Sequence, residues 1–591
     1  MQTIVRDGQL VLPMRNGNEL PSKPPLFHWL GALASFLHGR VSEGTIRFPS
    51  LVAALLAALA TALAAWSWWG ADTALMTAVV LGTSYQWLAS SVTARVDMVL
   101  AAAVTLALLS FARAIETGRS IPVTVFVLLV VATLTKGPIG LVLPCTIAGV
   151  TLALRGELAF LGMREARLLL LAIAASSAWY VAAFFVGGDA FFAKQILKEN
   201  VFRVLDPDSV EAGHVAPFWF YVPLMAAGLA PWSLFIPGLV AFAVTRPTGA
   251  DTMTDGAGAA VRVVASSAAP TTTAAATQAA TTVAAAPTPS LLRRLDPHVV
   301  FAVVWGAVTF GIFSLAGSKR AVYLLPAYPA YAMLIARAWT SVMRSRTAPV
   351  AAALFVAGAV LSAALLVAVA IVVVAGAAGV PIDGRLAQFV SNADVNNVTP
   401  VLEATREHRA IIIPLGLVML SAAWVTVRSA QGQRWARVAA ATALAMIVLQ
   451  ATLSTTLLPA LASKRSARSF INHVQELVPV EVPLSFYRAF DYGAVFYRGA
   501  PIPVRQALTD VPEIDGAWLL TWPAFLSDLS EEVRKLDTGG EAAGAYEVEE
   551  AIASKDVDPS DRTSLVLVRI KRRIPEDQTG DRTDERSGDR N

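Results

Sequence analysis

The chain has 591 residues, of which 55% are hydrophobic and only 15% are charged, and its mean hydropathy is +0.57. Soluble domains average about 25% charged residues, so this composition predicts a polytopic membrane protein. The net charge of +4 gives no reason to expect a nucleic-acid partner, and a single cysteine excludes a disulfide framework.

Apolar segments of membrane-spanning length begin after an N-terminal stretch, 1–45, which we interpret as an outer loop. The sequence therefore predicts a polytopic α-helical membrane protein of about 12 spans, with outer-face loops and a small C-terminal α/β domain. The predicted spans are 46–69, 74–92, 98–115, 121–135, 139–154, 166–186, 218–244, 298–316, 323–340, 349–379, 410–428 and 438–459.

Alternate loops are rich in arginine, and the positive-inside rule assigns such loops to the cytoplasm. The N-terminal stretch, the 187–217 and 380–409 loops and the C-terminal region are then outside. The first residues are polar and no signal peptide is recognised, so nothing in the sequence would translocate an outer N-terminus. We therefore expect an upstream span to be missing, with Met1 an internal start or the chain a fragment.

The spans form two membrane parts, 46–246 and 298–459, separated by an Ala-, Thr- and Pro-rich linker at 247–297. Residues 460–571 mix helical and strand patterns and are interpreted as a periplasmic α/β domain. The charged tail, 572–591, is expected to be disordered. Strands are predicted at 482–487, 494–497, 517–521 and 564–570.

Ionisable residues cluster at the predicted outer ends of the spans, where they are costly and often functional. Lys23 lies on a stretch that cannot be regular helix, because the two prolines that follow it fix the backbone. The other polar members of the cluster are Arg95, Asp97, Lys136, Lys194, Lys198, Glu199, Asn200, Arg203, His214, Lys319, Arg320 and Tyr323.

Taken alone, these residues have structural explanations. Asp97 would cap a helix that begins at Met98, Lys136 and Lys319 would extend to lipid headgroups, and His214 would be an ordinary loop histidine. Taken together, at least four cationic outer turns contradict the positive-inside bias and indicate an anionic partner. Phosphate suits both lysine and arginine. No glycine-rich nucleotide loop is present, so a lipid phosphate is the predicted ligand.

Five motifs, in order along the chain, resemble those of one enzyme family. They are Pro21-Ser22-Lys23-Pro24-Pro25-Leu26 with Arg47-Phe48-Pro49-Ser50; Ala94-Arg95-Val96-Asp97-Met98; Thr135-Lys136-Gly137-Pro138; Glu199-Asn200 with Arg203, His214 and Pro217-Phe218-Trp219; and Ser318-Lys319-Arg320 with Tyr323-Leu324-Leu325-Pro326. They resemble lipid-linked sugar transferases of the GT-C type, in particular the aminoarabinose lipid A transferase group, which is related to the protein O-mannosyltransferases. The similarity covers nearly the whole chain apart from the linker and the tail.

The resemblance implies thirteen spans in the full-length form. It also implies hexosyl or pentosyl transfer from a polyprenyl-phosphate carrier, such as undecaprenyl phosphate, to a lipid A-like or other acceptor. The reaction would take place at the outer face of the bacterial inner membrane, with the C-terminal domain outside the cytoplasm. The expected partners are the lipid-linked sugar, a lipid or glycolipid acceptor and membrane lipids.

The resemblance also assigns roles to individual residues. Lys23 is the first choice for the phosphate contact, with Lys136, Arg203 and Lys319 as helpers, because charge develops on the departing phosphate. Asp97 is the matched carboxylate that would orient or deprotonate the acceptor. The donor or acceptor pocket is assigned to Arg95, Glu199, Asn200, His214 and Tyr323.

Two departures from the family pattern affect these expectations. The principal catalytic aspartate of the family lies upstream of the Lys-Pro-Pro motif, and this sequence begins too late to contain it. Ser22 stands where the aminoarabinose group usually has a glutamate that shares a metal with the loop histidine. Serine is a poor zinc ligand, so we assign no cofactor, His214 remains only a weak metal candidate, and the donor sugar is left open.

Other functions are weighed against sugar transfer. A flippase of lipid-linked intermediates would be expected to show internal repeats and midplane charges, whereas no repeat is seen here and the charges lie at span ends. A protein O-mannosyltransferase-like enzyme is a second alternative. A third is an inactive remnant that lacks its catalytic carboxylate.

Overall fold

The structure is a computed structural model that describes residues 1–202, 216–245, 296–380, 402–459, 462, 466–536, 546–553 and 564–572. The chain divides into two compact units. The membrane unit comprises Met1, 3–13 and 20–457, and the C-terminal unit comprises Gln2, 14–19 and 458–591.

Helices dominate the first unit, as expected where every backbone polar group must be satisfied without water. From the N-terminus to Phe191 they are α1 (Gln2–Asp7), α2 (Leu26–His38), α3 (Glu43–Trp69), α4 (Ala71–Thr83), α5 (Tyr85–Ser91), α6 (Val96–Glu116), α7 (Val123–Lys136), α8 (Ile139–Arg155) and α9 (Met163–Phe191). A π-helix, Phe192–Phe202, continues α9. Then follow α10 (Tyr221–Gly228), α11 (Ile236–Thr245), α12 (Pro297–Leu315), α13 (Tyr328–Arg344), α14 (Pro349–Ala377), α15 (Arg409–Gln431) and α16 (Trp435–Thr452).

Within the described residues, seven helices are long and apolar enough to cross a membrane, or eight if a bent pair counts as one span. Four more apolar helices are shorter: α2, α4, α7 and α8. The polytopic helical class is confirmed, but fewer than the twelve predicted segments qualify as single spans by length.

Proline and glycine explain where the predicted spans differ from the helices. The predicted span 218–244 is two helical pieces, Phe218–Gly228 and Trp232–Thr245, bent by 101° at a break that contains Pro231. The predicted span 74–92 is broken at Ser84 into α4 and α5. Residues 1–45 are not all loop, because α2 begins directly after Pro25, which occupies its N-cap.

Helix α6 is the most buried of the membrane-spanning helices, and it packs against α3, α7 and α8. The turn from α7 to α8 is tight because Gly137, at φ 91°, follows Lys136 directly. At the second residue of α8, a Cβ on Gly140 would overlap the backbone of Ala132 and Thr133 in α7. Glycine at this position therefore sets how closely α7 and α8 approach beside Lys136.

We expect Gly140→Ala to destabilise the protein by about 1–3 kcal/mol, because the added methyl group overpacks a backbone contact that cannot yield. Thermal unfolding of the purified protein in detergent measures the change. Gly149→Ala is the matched control, since Gly149 lies in the same helix and a Cβ there meets nothing within 4 Å. Equal melting temperatures for the two variants would contradict the close approach.

The C-terminal unit is built on a five-stranded sheet of order β2-β1-β3-β5-β4, where β1 pairs in parallel with β2 and β3, and β5 pairs antiparallel with β3 and β4. The strands are β1 (Leu484–Tyr487), β2 (Val504–Arg505), β3 (Trp518–Thr521), β4 (Tyr546–Ala553) and β5 (Val566–Arg572), and the helices are α17 (Arg468–Leu477), α18 (Tyr492–Arg498) and α19 (Leu526–Leu536).

The predicted α/β character of this region is confirmed, and β1, β3 and β5 overlap predicted strands. The predicted strand at 494–497 is wrong, because those residues lie in α18. The Asp491 carboxylate accepts a hydrogen bond from the Ala494 N–H (2.7 Å) and caps that helix, which ends at Gly499 in a left-handed conformation. The sequence did not predict β2 and β4.

Candidate functional site

The site is built around a buried ion pair between two neighbouring helices. Helices α6 and α7 pack as consecutive neighbours, so the first turn of α6 and the last residue of α7 lie at the same end, here called the Asp97 end. There the Lys136 ammonium donates to Oδ1 of Asp97, and the two side chains are only 9% and 11% exposed. An ion pair this deeply buried persists only with good geometry.

This geometry overturns the structural explanations of both residues. The N-cap of α6 is Arg95, and Asp97 is the second residue of the helix, so Asp97 is not its cap. Lys136 does not extend to a headgroup, because its ammonium is bound to Asp97.

Aromatic rings enclose the ammonium group of the pair. Lys136 Nζ lies 3.8 Å from the ring centroid of Tyr323 and 6.0 Å from that of Phe313, and the two rings are 5.7 Å apart. Such cation–π contacts strengthen when the cation is desolvated. Tyr323 belongs to a 3₁₀ segment, Ala321–Ala327, that packs against α6 and α12. The late Tyr-Leu-Leu-Pro turn is thereby brought to the Asp97–Lys136 pair.

The turn before Tyr323 buries a second ammonium group. Lys319 is 5% exposed, and its Nζ donates to the Ala316 carbonyl (2.6 Å). In the described part of the chain, Lys319 has no carboxylate within ion-pair distance. The fully buried Tyr221 fixes the turn, since its hydroxyl accepts a hydrogen bond from the Arg320 N–H (3.2 Å). A buried charge without a counter-ion is costly, so an anion close to this ammonium would lower the electrostatic free energy of the turn.

A buried serine holds the backbone just before Asp97. Ser50 Oγ, in α3, accepts a hydrogen bond from the Arg95 N–H (3.1 Å) and donates to the Arg95 carbonyl (3.2 Å). Arg95 is extended, which starts α6 at Val96 and places Asp97 in the first turn. Ser50 thus fixes the backbone that directly precedes the first turn of α6, where Asp97 lies.

Ser50→Ala is expected to destabilise the protein by about 1–2 kcal/mol, because the N–H and carbonyl groups of Arg95 lose their side-chain partner. Thermal unfolding of the purified protein measures the change. Ser67→Ala is the control on the same helix, since Ser67 is exposed and bonds only within the helix. A melting temperature equal to that of the control would show that the Arg95 turn does not depend on Ser50.

The Lys-Pro-Pro segment forms a second ion pair. Lys23 Nζ lies 2.5 Å from Oε2 of Glu199, with side chains 21% and 9% exposed. Glu199 lies in the π-helix, and Gln195 of the same element donates from Nε2 to the Pro21 carbonyl (2.6 Å). Helix α2, which follows Lys23, packs against α7. The first motif and the π-helix are therefore joined by an ion pair and a buried hydrogen bond. The prediction of a loop from residue 187 is wrong up to Phe202, because α9 and the π-helix continue through these residues.

The structure brings some of the predicted residues together. Asp97, Lys136 and Tyr323 are in contact, Lys23 and Glu199 form a separate pair, Lys319 belongs to the turn that carries Tyr323, and Arg95 is the exposed N-cap of α6. Arg203 and His214 lie outside the described residues, as does the side chain of Asn200.

Among the described residues, no three His, Cys, Asp or Glu side chains are grouped so that they could hold a metal ion.

Sequence reasoning missed the supporting residues Ser50, Gln195, Tyr221 and Phe313. Ser50 had a signal, because it ends the Arg-Phe-Pro-Ser motif. Tyr221 ends the aromatic run 217–221, a pattern typical of a membrane-interface belt, whereas Gln195 and Phe313 carry no local pattern that distinguishes them from core or loop residues.

Comparisons with known proteins identify a family model and several proteins that this chain resembles. The family model described as dolichyl-phosphate-mannose-protein mannosyltransferase matches residues 22–181, which include Lys23, Asp97 and Lys136. An uncharacterized protein of Aquifex aeolicus is 24% identical over 339 residues, covering 57% of this chain and 56% of that protein. The undecaprenyl phosphate-alpha-4-amino-4-deoxy-L-arabinose arabinosyl transferase of Pectobacterium atrosepticum is 26% identical over 328 residues, covering 54% of this chain and 49% of that enzyme.

The fold is shared with a solved structure over most of both chains. The crystal structure of ArnT from Cupriavidus metallidurans bound to undecaprenyl phosphate has a TM-score of 0.66 at 17% identity, covering 96% of this chain and 91% of that chain. The chain spans about half the length of the curated relatives named above. The motifs quoted from the sequence, the matched family model and the shared fold agree: this chain resembles the GT-C polyprenyl-phosphate-sugar glycosyltransferases.

Proposed function

We propose that this chain transfers a sugar from undecaprenyl phosphate or a similar polyprenyl-phosphate carrier to a lipid A-like or other acceptor. The reaction takes place at the Asp97 end, on the outer side of a bacterial inner membrane, where the C-terminal unit also lies. The observation that carries the proposal is Lys319: this residue is 5% exposed, and among the described residues its ammonium has one carbonyl acceptor and no carboxylate partner, so an anion would stabilise it. In this family a lipid phosphate is the natural anion.

In the proposed reaction, the bond between the anomeric carbon and the phosphate oxygen breaks, and a bond from that carbon to the acceptor oxygen forms. The electron pair of the broken bond leaves with the polyprenyl phosphate, where Lys319 and Lys23 stabilise the developing charge. Asp97 orients the acceptor hydroxyl and takes its proton. Lys136 and Tyr323 position Asp97 through the ion pair and the cation–π contact.

The remaining predicted residues have supporting roles in this proposal. Glu199 positions Lys23 through its ion pair. Arg95 contributes an exposed cation beside the acceptor approach. Arg203, Asn200 and His214 are retained as pocket residues on the strength of the sequence motif alone.

A flippase gains no support from the broken helix pair. Broken helices in transporters bind ions and charged substrates at their ends. Here the segment 218–245 contains no Asp, Glu, Lys, Arg or His.

The direct test is to incubate the purified full-length protein with a panel of polyprenyl-phosphate sugars and a lipid A acceptor. We expect one donor to be consumed, with release of polyprenyl phosphate in equal amount to the glycosylated product. If no donor is consumed, while the protein remains folded by thermal unfolding, the proposed activity is wrong.

Lys23→Ala is expected to lower transfer by at least about 100-fold, because an oriented cation at the leaving group is lost. Reversing the pair, Lys23→Glu with Glu199→Lys, keeps an ion pair but moves the ammonium, and should remain folded and inactive. Steady-state rates and melting temperatures are compared with those of Lys535→Ala, an exposed lysine of α19. If the variant with the reversed pair were fully active, Lys23 would not be a phosphate-binding residue.

A further inference from the structure

An apolar pocket lies between α6, α7, α8 and α9, away from the site described above. Its volume is about 250 Å³. Its wall on α6 extends to Phe111, fourteen residues after Asp97, which corresponds to about 21 Å along the helix. On α7 the wall is formed by the N-terminal half of the helix, around Val125. Lys136, which pairs with Asp97, is at the C-terminal end of the same helix. The pocket is therefore at the opposite end of these helices from Asp97.

The pocket is a gap between α8 and α9, which both have α7 as a neighbour. Helices α8 and α9 both pack against α7, and the pocket is lined by Cys145 and Ala148 of α8 and by Ala166 and Leu169 of α9. The α9 helix is largely exposed on the surface of the membrane unit. Protein interiors are close-packed, and an empty apolar gap forfeits dispersion contacts. In a bilayer, the material available to fill such a gap is hydrocarbon chain.

The mouth of the pocket combines exposed apolar and basic residues. Leu158 and Leu161, which lie between α8 and α9, are 54% and 48% exposed. Arg164 crosses the mouth, because its Nη1 donates to the Ile121 carbonyl (2.8 Å), and it also pairs with Glu165 (3.0 Å). Three further exposed arginines lie at this end of the helices: Arg119 between α6 and α7, Arg155 at the end of α8 and Arg167 near the start of α9.

The charge balance at the mouth favours an anion. The two connections and the helix ends beside them carry five arginines and three glutamates: Arg113, Arg119, Arg155, Arg164 and Arg167, against Glu116, Glu157 and Glu165. Basic side chains at a membrane surface attract anionic headgroups, each contributing to retention. Exposed leucines beside them are typical of residues that lie at the level where headgroups meet acyl chains.

We propose that this pocket binds an acyl chain of an anionic glycerophospholipid, whose headgroup phosphate contacts the arginines at the mouth. The lipid comes from the leaflet that faces the arginine-bearing loops, and so enters from the side of the membrane opposite the proposed reaction. The site is distinct from the carrier-lipid site, and it does not depend on the proposed activity.

The chain's single cysteine makes the pocket directly testable, because Cys145 is in its wall. The full-length protein in dodecyl maltoside is treated with N-ethylmaleimide, and modification is followed by mass spectrometry as dioleoyl phosphatidylglycerol or dioleoyl phosphatidylcholine is added. We expect phosphatidylglycerol to slow labelling of Cys145 strongly at lipid concentrations where phosphatidylcholine does not. In Arg164→Gln, the preference for phosphatidylglycerol should fall about fivefold.

Thr146→Cys in a Cys145→Ala background is the matched control, because residue 146 is at the same depth on α8 but is exposed and outside the pocket. Both lipids should affect its labelling equally. Ala148→Phe, which fills the pocket, should lose the rise in melting temperature that phosphatidylglycerol gives the unmodified protein. Equal protection of Cys145 by the two lipids, protection by neither, or protection only by added polyprenyl phosphate would overturn the proposal.

Discussion

Replacing Asp97 by asparagine is expected to lower the rate of sugar transfer by about 100- to 10,000-fold, the range over which a positioned acid or base contributes. Asparagine has nearly the same shape and still offers an oxygen to Lys136, so the site keeps its geometry. What it loses is the ability to take the acceptor proton. Initial rates at saturating donor and acceptor measure the change in turnover.

The variant also leaves the Lys136 ammonium without its counter-ion, and this must be separated from catalysis. Breaking a buried pair costs about 3–5 kcal/mol, so Asp97→Asn alone is expected to unfold at a lower temperature. Replacing both partners, Asp97→Asn with Lys136→Met, removes the pair and should restore much of the stability. The double variant should remain inactive. Turnover near that of the unmodified protein in either variant would exclude Asp97 as the base.

The common location of the polar residues could be predicted from the sequence, whereas their pairing could not. Alternation of arginine-rich loops indicates which span ends share a side, and this pattern alone predicts that Asp97, Lys136 and Lys319 lie at the same face. The choice of partner depends on how α6 and α7 are rotated about their axes, and a long lysine side chain can reach several neighbours. The Lys23–Glu199 pair joins residues 176 positions apart and carries no local signal.

The same contrast holds for the fold. Helices α3, α9 and α14 lie close to the spans predicted from long, uninterrupted apolar runs. A run of about twenty apolar residues in a membrane has few alternatives to a spanning helix. Short segments were the ones predicted wrongly. Residues 494–497 suit either a strand or one turn of helix, and the Asp491 cap decides between them. Helix α2 was overlooked because the prolines before it were interpreted as loop, although proline commonly stands at a helix start.

Lys319→Met is expected to change activity and stability in opposite directions. Transfer should fall by about 100- to 1,000-fold, because one donor to the developing phosphate charge is removed. In the absence of donor, however, the variant should be more stable by about 1–3 kcal/mol, since the buried ammonium has one carbonyl acceptor and no described counter-ion. Methionine keeps a similar apolar length without that desolvated charge.

Adding polyprenyl phosphate distinguishes a phosphate-binding role of Lys319 from a purely structural one. The unmodified protein should melt at a higher temperature as the lipid is added, because a ligand that binds only the folded state stabilises it, and the Lys319→Met variant should show a much smaller rise. Arg320→Met, a change at the exposed neighbour in the same turn, should keep most of that rise. If Lys319→Met instead lowers the stability of the donor-free protein, then the bond to Ala316 is structural, and the buried charge is not held in readiness for a phosphate. A site that binds an anion tightly contains an unpaired cation while it is empty, and this cation destabilises the protein. If Lys319→Met gains stability and loses turnover, Lys319 is therefore a binding residue. A structural lysine would not give both results.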